Sequence, residues 1–274
     1  MKTLYITDLD GTLLNNNAVL SPESINTLNV LIGRGLNFTY ATARSRASAL
    51  KVMRGVNLTL PVVTSNGAFI VNHNSGKIIH GFTMDAEKSA FLPDTMERLG
   101  LYALVNSIVD GVPRVLWVKG AENRGIRDYF ADREPDKRFL PVSSRKELNK
   151  GNIYGINFTG SQRELMPMYD VLRETKGFSM YFYEDVYNEH YWLEIYEEQV
   201  SKGAGLQWFR EYYSFDKIIC FGDNLNDVSM FNVADKAFAV RNAHDQLKLL
   251  ADGIIGSNEE NGVTEFILQD FGNR

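Results

Sequence analysis

The sequence predicts an α/β fold, a parallel sheet with helices on its faces, interrupted by an inserted α+β unit. Three observations lead there. Strand-like and helix-like segments alternate from Leu4 to Thr64, the rhythm breaks near Phe82, and it resumes past residue 190. With 274 residues the chain also exceeds the commonest single-core size of about 100 to 150 residues, so two domains are expected.

Leu4 to Thr7 reads as a short buried strand. Ser21-Pro22-Glu23 supplies an N-cap, a proline at the first helical position and an early acid, and Ile25, Leu28 and Leu31 follow until Gly35. Leu36 to Thr42 is a second strand, Ser45 to Arg54 a second helix stopped by Gly55, and Leu60 to Thr64 a third strand before the turn Ser65-Asn66-Gly67. The next stretch mixes a helix over Asp85 to Leu99 with strand-like pieces at Tyr102 to Asn106, Arg114 to Val118, Ile153 to Thr159 and Phe178 to Tyr183. Helical segments lie between them at Glu122 to Ala131 and Ser161 to Glu174. The return to the first domain is expected near Tyr191 to Tyr196. After it come a helix from Ser201 to Tyr212, a strand Lys217 to Phe221, a helix Asn226 to Val233 and a strand Ala237 to Val240. Residues 1–82 with 190–274 are therefore expected to form the core domain, and 83–189 the insertion.

Composition narrows the function. An apolar fraction of 44% and a charged fraction of 23% suit a folded globular protein. A net charge of −5 with 29 scattered Lys and Arg argues against nucleic acid or an anionic membrane as partner. The single cysteine, Cys220, forms no internal disulfide, and the histidines lack zinc-site spacing, which fits a reducing cytoplasm. The opening stretch meets Asp8 too early for a signal-peptide core, and no run reaches the roughly 18 apolar residues of a spanning helix.

Polar residues that follow the apolar runs carry the chemistry, because ligands of open parallel sheets bind beyond the carboxyl ends of the strands. Asp8 and Asp10 follow the first strand, Thr42 the second, Asn66 the third, and Asp223 and Asp227 the fourth, while Lys202 opens the helix before that fourth strand. Singly, each has a plain alternative: Asp10-Gly11 as a turn pair, Thr42 as a helix cap, Lys202 as a solvated lysine. Together they converge on one rim. Carboxylates gathered there repel one another unless a hard cation such as Mg2+ neutralises them. They also repel a phosphate dianion unless the metal, Lys202 and the Thr42 hydroxyl balance it. Asp8 is the candidate nucleophile toward phosphorus, and Asp10 the candidate acid and base for leaving group and water.

The segments Asp8-Leu9-Asp10-Gly11-Thr12-Leu13-Leu14, Ala41-Thr42-Ala43-Arg44, Val200-Ser201-Lys202-Gly203 and Gly222-Asp223-Asn224-Leu225-Asn226-Asp227 resemble the four signatures of the haloacid dehalogenase superfamily. Their order, the Ser65-Asn66-Gly67-Ala68 turn and the insertion after the third strand resemble its Cof-type phosphatases with a C2 cap. The resemblance implies a Rossmann-like core with an inserted cap and a phosphatase using Mg2+ and an aspartyl-phosphate. It implies Asp8, Asp223 and the main-chain carbonyl of Asp10 as metal ligands, and Thr42, Lys202 and Asn226 on the phosphate. Asp227 would act through water or by orienting Lys202, and Arg44 and Asn66 would be candidate substrate contacts. Ala43 stands where relatives usually carry glycine, which narrows the backbone options but keeps a small side chain; Arg241 also stands where they often carry glycine, which weakens the expectation for the neighbouring Asn242 and for Asn258. Arg241 is expected at the surface, Cys220 as a packed hydrophobe, and His190 in a structural or exposed place.

The expected substrates are small phosphorylated metabolites such as sugar phosphates or phosphorylated cofactors. A phosphomutase or other phosphotransferase is the enzymatic alternative. A non-catalytic phosphometabolite-binding regulator is the alternative of another class.

Overall fold

A computed structural model describes residues 2–131, 136–185 and 189–272. In chain order its strands and helices are β1 (Thr3–Thr7), α1 (Pro22–Gly33), β2 (Asn37–Tyr40), α2 (Arg46–Val52), β3 (Val62–Thr64), β4 (Phe69–Val71) and β5 (Ile78–Gly81). Then come α3 (Ala86–Ser89), α4 (Leu92–Leu99), β6 (Leu104–Val109), β7 (Val112–Val118), α5 (Arg124–Ala131), β8 (Phe139–Val142), β9 (Asn152–Gly160), α6 (Gln162–Arg173), β10 (Phe178–Glu184) and β11 (Tyr191–Glu197). The chain closes with α7 (Lys202–Tyr213), β12 (Lys217–Gly222), α8 (Val228–Phe231), β13 (Lys236–Val240), α9 (Asp245–Lys248), β14 (Gly253–Ile255) and α10 (Gly262–Gly272).

These elements group into two compact units, Met1–Gly81 with Ser201–Arg274, and Phe82–Val200. The first is built on a parallel sheet of order β14-β13-β12-β1-β2. Leu4, Tyr5 and Ile6 of β1 and Ile218 to Phe221 of β12 are fully or almost fully buried, the unbroken apolar run expected of strands covered on both faces. The helices start where the caps predict: the Ser21 hydroxyl accepts from Ser24 N–H at 3.0 Å, and the Ser201 hydroxyl from Ala204 N–H at 3.0 Å.

Strand β3 departs from the expected pattern. It joins the parallel sheet through a single bridge, Ala41 to Val63, and pairs antiparallel with β4 in a three-stranded sheet, β3-β4-β5. Strands β4, β5 and β14 and helices α9 and α10 were not anticipated from the sequence.

The second unit holds a six-stranded sheet of order β10-β11-β9-β6-β7-β8. Val105, Ile156, Phe158, Leu193 and Ile195 pack with Met96 of α4 and Leu165, Met168 and Leu172 of α6. Alternate positions Leu104, Val115 and Trp192 turn to the other face and pack with Ile126 of α5. Strand β11 pairs with β10 and β9, so the chain leaves this unit at Ser201, not at residue 190. The expected helix Asp85 to Leu99 is two helices, and Pro93 sits in the first turn of the second, where its missing N–H costs no helical bond.

Candidate active site

Because β1, β2 and β12 run parallel, the residues after Thr7, Tyr40 and Gly222 emerge at one edge of the sheet. After β1 the chain makes a single wide turn over Leu9–Leu13, closed by Leu14 N–H donating to Leu9 O at 2.8 Å. Gly11 sits in it at φ 74, and a Cβ there would lie 2.5 Å from Asp223 Oδ2, so both conformation and space demand glycine. The same turn brings Thr12 to Asp223, its hydroxyl donating to Oδ1 at 2.6 Å.

Lys202 is the hub. Its side chain is 0% exposed, and the ammonium lies 2.8 Å from Asp8 Oδ1 and 2.7 Å from Asp227 Oδ1. A charge so buried persists only when paired. Both carboxylates favour the ammonium and hold the Lys202 pKa above its ordinary value against desolvation. Asp227 is anchored on its other oxygen, which accepts the N–H groups of Asp223 at 2.9 Å and Asn224 at 3.1 Å. Gly203 makes the approach possible: a Cβ there would sit 2.2 Å from Ser229 O.

The acids outnumber the cation. One oxygen each from Asp8, Asp223 and Asp227 lie within 4.8 Å of one another, all on buried side chains. Burial raises the Asp8 pKa to about 7; Lys202 opposes the rise, while Asp227 and Asp10 add to it. Burial also pushes Asp223 well up, with Asp227 and Asp8 adding and the Thr12 hydrogen bond opposing. A divalent cation among these hard oxygen donors would offset the charge that one ammonium leaves uncompensated, so the residues fit a metal.

The remaining candidates line the same strand ends. Thr42 is buried, and its hydroxyl accepts the Arg44 N–H at 3.1 Å, which keeps its own proton for another acceptor. The Ser65-Asn66-Gly67 turn has all three residues at positive φ, and Asn66 N–H donates to Thr42 O at 3.0 Å. The Asn66 side-chain oxygen accepts from Asn226 Nδ2 at 3.2 Å, which ties the third strand end to the fourth. The Asp10 carboxylate is held by Arg44, which donates from Nε at 2.7 Å and from a terminal nitrogen at 2.5 Å.

Some groups were undervalued in the sequence. Asn242 donates to Gly11 O at 2.7 Å and accepts from Asn258 N–H at 3.0 Å, while Asn258 donates to Leu14 O at 3.1 Å, so both brace the turn that carries Asp8 and Asp10. Their position between β13 and α10 was the signal available. Arg241 lies at the surface on Glu260, and Cys220 is buried in β12. His190, in the second unit, pairs with Asp128 at 2.7 Å. No helix among the described residues is long and apolar enough to cross a membrane.

A parallel sheet carrying an acidic cluster and a buried lysine at its carboxyl edge suits metal-assisted phosphoryl transfer, and the comparisons supply the family. The chain belongs to the haloacid dehalogenase-like hydrolase family, which matches residues 5–267. It is similar to the 5-amino-6-(5-phospho-D-ribitylamino)uracil phosphatase YitU of Bacillus subtilis, 24% identical over 98% of this chain and 97% of that protein. It is also similar to the pyridoxal phosphate phosphatase YbhA of Escherichia coli, 24% identical over 95% of each. A haloacid dehalogenase-like hydrolase from Bacteroides thetaiotaomicron shares the fold at a TM-score of 0.81 and 20% identity, over 99% of this chain and 100% of that one. The enzyme is a phosphatase of this family.

Proposed function

We propose that the enzyme hydrolyses small phosphate monoesters with Mg2+ through an aspartyl-phosphate on Asp8. The observation that carries this reading is Lys202, fully buried between Asp8 and Asp227 beside a third buried acid, Asp223. That arrangement suits a site that must hold a carboxylate nucleophile and a phosphate dianion together.

Mg2+ held by Asp8, Asp223 and the Asp10 main-chain carbonyl would supply positive charge against the phosphate oxygens. Everything else is done by the chain. An oxygen of Asp8 attacks phosphorus while Asp10 gives its proton to the departing alcohol oxygen, and the P–O bond to the alcohol breaks as the acyl-phosphate bond forms. Asp10, now ionised, takes a proton from water as the water oxygen attacks phosphorus, releasing inorganic phosphate and restoring Asp8. Lys202, the Thr42 hydroxyl and the Asn226 amide hold the phosphoryl oxygens, and Asp227 fixes Lys202. Asn66 orients Asn226.

Phosphorylated cofactors and their precursors lead the substrate class, in line with the relatives named for pyridoxal phosphate and for a phosphoribitylamino uracil, with sugar phosphates beside them. The second unit is the cap that selects among them, and the enzyme works in the cytoplasm. The test is free phosphate release from a panel of such monoesters, with and without chelator. Activity should vanish on chelation and return with Mg2+; undiminished release from metal-free enzyme refutes the metal, and transfer without free phosphate refutes the hydrolysis.

A further inference from the structure

We propose that Arg44 is a positioning residue that holds the Asp10 carboxylate in its working orientation, and is not a contact of the transferred phosphoryl group. The inference rests on the reading of Asp10 as acid and base.

Arg44 stands two residues past Thr42, and the resemblance makes it a candidate substrate contact. The geometry points elsewhere. Nε donates to Asp10 Oδ2 at 2.7 Å and a terminal nitrogen to Oδ1 at 2.5 Å, the paired fork that guanidinium and carboxylate form best. The third nitrogen donates to the Ser48 hydroxyl at 3.0 Å, on α2. Each guanidinium nitrogen thus already donates to a protein oxygen.

The backbone of Arg44 is fixed as well. Its N–H donates to Thr42 Oγ1 at 3.1 Å, and its carbonyl accepts from Ser65 N–H at 2.9 Å. A side chain launched from so firm a base can set the position of what it grips. Asp10 needs such a grip: it lies on the turn after β1 at φ −71, ψ 124, ahead of Gly11 in the left-handed region, outside any regular strand or helix. A carboxyl group there has two side-chain torsions to settle. The pair is mostly shielded, with 18% of the Arg44 side chain and 23% of the Asp10 side chain exposed. Displacing a proton-transfer group by about 1 Å can cost on the order of a hundredfold in rate.

A kinetic cycle on an alkyl phosphate tests this, using wild type, Arg44→Met, Asp10→Asn and the double variant, with inorganic phosphate as competitive inhibitor. Arg44→Met should lower kcat by roughly tenfold to a hundredfold, while the inhibition constant for phosphate moves by no more than about twofold. In the Asp10→Asn background the same change should cost almost nothing further, because two residues acting through one group are not additive. Arg44→Lys, which keeps the charge and loses the fork, should fold normally and recover part of kcat. Weaker phosphate inhibition by about tenfold with kcat preserved, or equal losses in both backgrounds, would overturn the proposal. Full activity of Asp10→Asn alone would overturn the reading of Asp10 beneath it, and that single variant tells the two failures apart.

Discussion

At the scale of single residues, the site is a problem of buried charge solved in part by the chain. Lys202 offsets one of the two charges on Asp8 and Asp227, and burial, with the remaining acids adding, raises the pKa values to about 7 for Asp8 and well up for Asp223. An acid raised in the folded state holds a proton there that an unfolded Asp, with a pKa of about 3.9, has lost. Over that window the folded state binds more protons than the unfolded one, so these groups make stability fall as pH rises. Bound metal should remove the penalty by favouring the ionised forms. Thermal unfolding should therefore show Mg2+ raising Tm more at pH 8 than at pH 6; an equal rise at both would contradict the assignment of the raised acids to the metal site. Asp8, Thr42, Lys202, Asp223 and Asp227 were legible in the sequence because each falls just beyond a strand or opens a helix, positions set by local pattern. The grip of Arg44 on Asp10 and of Thr12 on Asp223 was not, because partners so distant in sequence are chosen by the course of the backbone.

At the scale of elements, glycines decide how closely the loops approach. Gly67, at φ 103, ends the run of positive φ that begins at Ser65, and a Cβ there would lie 2.1 Å from Ser201 O, in the cap of the helix that carries Lys202. Gly67→Ala should destabilise the protein by about 1–3 kcal/mol or more, read as a lower denaturant midpoint, and should lower phosphate release through displacement of Lys202. A variant of parental stability would show that this turn carries no such constraint. The capped helices α1, α2 and α7 were readable because serine, proline and glycine mark their ends. Short pieces such as β14, of three residues, and α9, of four, carry too few residues to show a period. The return to the first unit was expected near Tyr191 to Tyr196, whereas β11 pairs with β9 and β10 of the second, since alternation does not say which sheet a strand joins.

At the scale of the whole molecule, the first unit holds every residue proposed for phosphoryl transfer, and the second holds a sheet covered on one face by α4 and α6 and on part of the other by α5. On the other face Tyr196 donates to Glu194 at 3.0 Å, and Asn157 Oδ1 has no hydrogen-bond partner among the described residues. As a test of the selecting role proposed for the second unit, Asn157→Ala and Tyr196→Phe should reorder the preferred phosphate monoesters while leaving the Mg2+ requirement unchanged; a fixed ranking in both would count against that role. The central claim is covalent transfer to Asp8 with Asp10 as acid and base, and rapid quench with a 32P-labelled aryl phosphate tests it most directly. An aryl leaving group needs little protonation, so Asp10→Asn should accumulate close to one acid-stable phosphoryl group per enzyme as attack by water slows, and Asp8→Asn should form none. A phosphoenzyme that persists in the Asp8 variant would contradict the account.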